Sequence, residues 1–169
     1  MGIRDYIRYF LIGLFLAGFQ VFFLKDFSVL GFGFLFLYLW PIFKAPLDTP
    51  AWVLILFAFV YGWIMDTFYN THGMHAFSLV LLAYLRPVLL RLMTPANGYE
   101  DKQFIQLQDF PWLWYVSFTA WFLFLHHLVF FLLEASDLSL WWLSLLRALF
   151  STILGLLVFY LLELFQSKN

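Results

Sequence analysis

Cysteine is absent from this 169-residue chain, and charge is scarce: nine Lys and Arg and ten Asp and Glu make up 11% of the residues. Without cysteine there are no disulfides, no thiolate metal sites and no thiol catalysis, and the redox compartment stays open. So little charge excludes an ordinary soluble domain, which carries about 25% charged and about 45–50% apolar residues. A formal net charge of -1 offers no basic face to nucleic acid. Catalytic patterns are missing as well. There is no Gly-x-Ser-x-Gly elbow, and Ser117, Ser144 and Ser151 have no neighbouring acid–base set. A His-Glu-x-x-His helix, a Walker loop and a dinucleotide fingerprint are also lacking. The expectation is a protein without catalytic turnover, cofactor or metal.

What is present is apolar: 64% of residues are hydrophobic and 24% aromatic, with 24 phenylalanines. A chain of this size has no soluble fold that hides so much apolar surface, so the expected class is all-α, a polytopic membrane helix bundle. A span needs about 20 residues. Six apolar segments are read, at roughly 6–24, 29–43, 51–69, 74–93, 111–133 and 140–165. Segment 29–43 is short, and is either a short span that thins the bilayer or a piece packed inside the bundle. Arg4 and Arg8 precede an apolar run like that of a signal peptide, but no small-x-small cleavage site with a soluble domain follows, so an uncleaved first span is expected. A single membrane domain then covers 1–169, with one long polar connection at about 94–110.

Cytoplasmic loops carry the excess of Lys and Arg. With the N-terminus inside, Arg4, Arg8, Lys44, Arg86, Arg91, Lys102 and Lys168 fall on the inner side and Lys25 on the outer, while Arg147 lies within a span. Both termini are therefore expected inside. Trp112 and Trp114 then mark the inner interface, and Trp141 and Trp142 the outer one. The 94–110 connection mixes Glu100, Asp101, Lys102 and Asp109 with Phe104, Ile105 and Leu107. It reads equally as a surface or partner contact and as a plain connector.

Several polar groups share one depth near the outer side under this topology: Asp66, His75, His126, His127 and Arg147. The functional reading is a binding or proton-handling cluster. The bland reading, which is favoured, is helix-to-helix glue, with Arg147 paired to Asp66 or Glu134 or reaching the headgroups. Of these, the Asp66–Arg147 pair is expected. A metal site on Asp66, His75, His126 and His127 is disfavoured, because adjacent histidines lie about 100° apart on a helix. Gly62 and Asp66 are four apart on one face, where a glycine admits a close helix.

The stretch 51–93 carries a family resemblance. Gly62-Trp-Ile-Met-Asp66, then Gly73-Met-His75-Ala76 with Tyr84 downstream, resembles the core of the MreD family, bacterial rod shape-determining inner-membrane proteins. Chain length and hydropathy profile match along nearly the whole sequence. The aromatic composition and the polar 94–110 insertion depart from the family. The resemblance implies a scaffold of the cell-wall elongation machinery in the inner membrane. It also implies partners: MreC, the actin-like MreB filament, and the RodA glycosyltransferase with its transpeptidase. Gly62, Asp66, Gly73, His75 and Arg147 are the candidate structural or partner-binding residues. The rival reading, by analogy of span number, is the substrate-binding membrane subunit of a vitamin (ECF-type) transporter. A small enzyme acting on lipid or isoprenoid is disfavoured, since no paired carboxylates are present.

Overall fold

The computed structural model describes residues 3–99, 104–135 and 137–166. Helix α1 (Ile3–Phe19) runs into a π-helical turn, Gln20–Leu24. A short antiparallel hairpin follows, β1 (Ser28–Val29) paired with β2 (Gly33–Phe34). A 3-10 turn (Leu37–Leu39) leads into the one-turn helix α2 (Trp40–Phe43). Four long helices complete the chain: α3 (Ala51–Tyr69), α4 (Met74–Leu92), α5 (Trp112–Ala135) and α6 (Trp141–Gln166). These four are long and apolar enough to cross a membrane, and Phe10–Leu24 is a shorter apolar helical stretch. The boundaries of α3 to α6 lie within a residue or two of the expected ones, because Pro50, the turn from Asn70 to Gly73, and Pro111 punctuate long apolar runs. Lys102, Lys168 and the middle of the 94–110 connection, Glu100 and Asp101 included, lie outside the described residues, as does the side chain of Arg4.

α3 packs on α4, α4 on α5 and α5 on α6, and α1 leans on α3. The outward faces are apolar: Phe15, Phe22, Trp52, Trp63, Trp112 and Trp141 are all exposed. That is the surface expected where acyl chains, rather than water, are the surroundings. Trp114 differs from the expected interface belt. It stacks on Phe110 and Phe118, and its indole N–H donates to the Met93 carbonyl.

Segment 29–43 is not a continuous helix. Val29 to Gly31, at the hairpin, are exposed, whereas the part from Phe36 to Phe43 is packed inside the bundle. Tyr38, Leu39, Trp40, Ile42 and Phe43 are all buried. Tyr38 meets His75 near the start of α4, and Ala45 meets Arg86 eleven residues on. Those positions are about 16 Å apart along a helix. The segment thus runs for about that distance through the bundle, in largely irregular form. Irregular backbone at membrane depth requires protein partners for its N–H and C=O groups, and side chains supply them. The Gln20 amide donates to the Leu35 carbonyl and accepts the Leu37 N–H. The Phe34 N–H donates to Ser151 Oγ. Arg86, itself buried, donates to the carbonyls of Phe43, Ala45 and Pro46. The π turn places Gln20 beside this segment.

The Lys44 end of the segment is locked by a buried ion pair. Lys44 Nζ lies 2.8 Å from Glu163 Oε2 and donates to the Ile105 carbonyl at 2.6 Å. Glu163 Oε1 also accepts the Leu107 N–H. The part of the 94–110 connection that is described therefore docks under the bundle, with Ile105 fully buried. Tyr99 donates to the Leu90 carbonyl at 2.7 Å. Burial pushes its hydroxyl up to about 12, so it remains a neutral donor at ordinary pH.

Candidate functional site

Four of the five candidate residues converge where α3 hands over to α4. Asn70 and Gly73 both take the left-handed conformation, with φ 56° and 97°. This tight reversal lays the start of α4 against the end of α3. The approach needs Gly62: a Cβ built there would lie 2.3 Å from Ala76 Cα and 2.7 Å from its nitrogen. Asp66, one turn further along the same face, then reaches the first turn of α4. Its Oδ1 accepts the His75 N–H at 3.0 Å and the Thr71 hydroxyl at 2.6 Å, and its Oδ2 accepts the Ala76 N–H at 2.9 Å. Helix N-termini leave N–H groups without intrahelical partners, and a carboxylate there also meets the positive end of the dipole. Asp66 is thus the cap of α4, supplied from the preceding helix.

The expected Asp66–Arg147 pair is not formed. Arg147 lies 2.9 Å from Glu134 instead, across the short α5–α6 connection. The two helices are adjacent in the chain and in space, so Glu134 is the local acid, whereas Asp66 is occupied by donors of its own hairpin. His72 is exposed in the turn, and Tyr84 faces outward.

A second cluster lies directly behind His75, and the sequence did not point to its centre. The hydroxyl of Tyr38 is 2.7 Å from His75 Nδ1 and 3.0 Å from His126 Nε2. All three residues are at most 1% exposed. Phe36 packs against His75, His126 and His127, and Phe130 covers the His75 ring at 4.4 Å between centroids. His127 turns to α6, where its Nδ1 is 3.2 Å from Thr152 Oγ1. Neighbouring histidines on α5 are both buried because Phe36 packs on both rings, while Tyr38 meets His126 and α6 meets His127. Tyr38 escapes sequence reasoning because it sits in the irregular segment, where no periodicity assigns it a face.

The outer ring nitrogens of the relevant histidines, His75 Nε2 and His126 Nδ1, are buried and have no hydrogen-bond partner. Among the described residues no three His, Asp or Glu side chains are placed to hold a metal ion together. A narrow cavity between Pro41, Thr49, Leu54 and Tyr61 holds about 10 Å³, room for a single water, and a wider, open apolar groove of about 460 Å³ runs between α5 and α6, lined by Val116, Trp121, Phe124 and Leu149. Comparison of the chain with family models, with curated proteins and with solved structures finds no match.

Proposed function

We propose that this chain is a non-enzymatic, multi-pass scaffold of the bacterial cell-wall elongation machinery, seated in the inner membrane. The crossings are the five apolar helical stretches plus the threaded 34–45 segment. Both termini lie inside, as the Lys and Arg asymmetry requires. The partners follow from the resemblance of the 62–84 motif to the MreD family: an MreC-like protein, the MreB filament, and RodA with its transpeptidase. The observation that carries the reading is how the motif residues are used. Gly62, Asp66, Gly73 and the His75 and Ala76 amides are spent on welding α3 to α4. The weld leaves broad aromatic outer faces for contact with other membrane helices. The test is depletion in the native host, with cell shape and wall synthesis as readouts. Loss of rod shape, and co-purification of a bitopic coiled-coil protein, are the expected results.

A vitamin-transporter subunit is the second reading. The threaded segment favours it, because interrupted spans in transporters often border binding sites. Normal shape on depletion, with loss of uptake of one vitamin, decides for this second reading.

A further inference from the structure

The geometry points to a proton relay made of His75, Tyr38 and His126, with His75 Nε2 and His126 Nδ1 as its two ports. This inference stands apart from the scaffold reading: it uses the imidazole of His75, where the weld uses that residue's backbone N–H. A tyrosine hydroxyl has one hydrogen, yet Tyr38 lies within hydrogen-bond distance of two imidazole nitrogens. It therefore donates to one ring and accepts from the other. A neutral imidazole carries one N–H, so the two rings must present opposite faces to Tyr38. When His126 donates through Nε2, its Nδ1 is bare, and His75, accepting at Nδ1, carries its hydrogen on Nε2. The reversed arrangement exchanges these roles without moving a heavy atom. Each arrangement leaves one buried donor and one buried acceptor unpartnered at the outer nitrogens. A buried unsatisfied group costs about 1–3 kcal/mol, so two of them at the ends of one chain call for an explanation.

Proton passage supplies it. A hydronium ion reaching bare His126 Nδ1 gives up a proton there and becomes water. The hydrogen on His126 Nε2 moves to Tyr38 Oη, and the hydrogen on Tyr38 Oη moves to His75 Nδ1. The hydrogen on His75 Nε2 then passes to a second water, which leaves as hydronium. One N–H bond forms and one breaks on each ring, tyrosine ends neutral, and one proton has entered and one has left. The chain is inverted, and rotation or reverse passage resets it. The groups facing it are Asp66 and Tyr69 from α3 and His127 from α5. His127 is a natural control. Thr152 donates its hydrogen to the Ala148 carbonyl at 2.7 Å, so it accepts from His127 Nδ1–H and fixes that tautomer.

The test is nitrogen-15 NMR of the histidine side chains, in full-length protein reconstituted in bilayers between pH 6 and 8. Signals are assigned through His72→Gln and His127→Gln. Expected are exchange-averaged ring shifts for His75 and His126, with complementary tautomer populations, beside a single tautomer for His127. Tyr38→Phe should slow that exchange by about a hundredfold or more, the usual scale of a positioned acid–base group, and leave His127 unchanged. A single fixed tautomer at both His75 and His126 in the unaltered protein overturns the relay, whatever the variant does. Exchange that persists at the same rate in a folded Tyr38→Phe protein overturns it equally.

Discussion

The Asp66 carboxylate holds the Ala76 N–H at 2.9 Å, ten residues along the chain and across a left-handed turn. With the His75 N–H and the Thr71 hydroxyl, it gives both carboxylate oxygens a donor. Among the described residues these donors, and no cation, are its partners. Asp66→Ala should therefore strand two buried N–H groups and cost about 1.5–3 kcal/mol, the scale of hydrogen bonds to a charged group. Asp66→Asn, which keeps one acceptor oxygen, should cost less. Thermal unfolding of the purified protein in detergent ranks the two. Equal losses would contradict the capping role.

Gly62 and Gly18 make a matched pair. A Cβ at Gly62 runs into the backbone of α4, whereas one at Gly18 meets nothing within 4 Å. Gly62→Ala should push the helices apart at about 1–3 kcal/mol, the range for overpacking. Gly18→Ala should be neutral or slightly stabilising, since it removes a helical glycine. The midpoints of heat-induced unfolding decide between these signs.

Arg147 answers to Glu134, not Asp66. Both side chains are about a third exposed, 31% and 41%. Such a pair is worth about 0.2–1 kcal/mol, so Arg147→Ala should be mild. Exchanging the charges, Glu134→Arg with Arg147→Glu, should restore what either single change loses. The exchange Asp66→Arg with Arg147→Asp should restore nothing and add the loss of the cap. A double-mutant cycle on stability separates the two cases.

Lys44 and Glu163 are a different kind of pair, with side chains only 8% and 3% exposed. Removing one partner leaves a buried charge, at a cost of about 3–5 kcal/mol. Lys44→Met alone should also loosen the 104–107 strip, because Lys44 donates to the Ile105 carbonyl. Limited proteolysis should then cut near Phe104. Lys44→Met combined with Glu163→Leu should recover much of the stability, though not the Leu107 contact.

Topology is open to reporters. Fusions at Asn97 and Asn169 should behave as cytoplasmic, and one at Ser136 as periplasmic. A periplasmic signal at Asn169 would remove one crossing, and the threaded 34–45 segment would be the first suspect.

Apolar run length and punctuation by Pro, Gly and Asn determined the helices from the sequence, because in an apolar medium the backbone must satisfy itself within each segment. α3 to α6 were legible for that reason, and so was the grouping of Gly62, Asp66, Gly73 and His75, which a short turn brings together. Segment 29–43 was legible only as anomalous, since its polar backbone is satisfied by Gln20, Ser151 and Arg86 from remote parts of the chain. Side-chain pairing over long separations has no local signature. Only the tertiary structure could turn Asp66 away from Arg147, join Lys44 to Glu163, and place Tyr38 between His75 and His126.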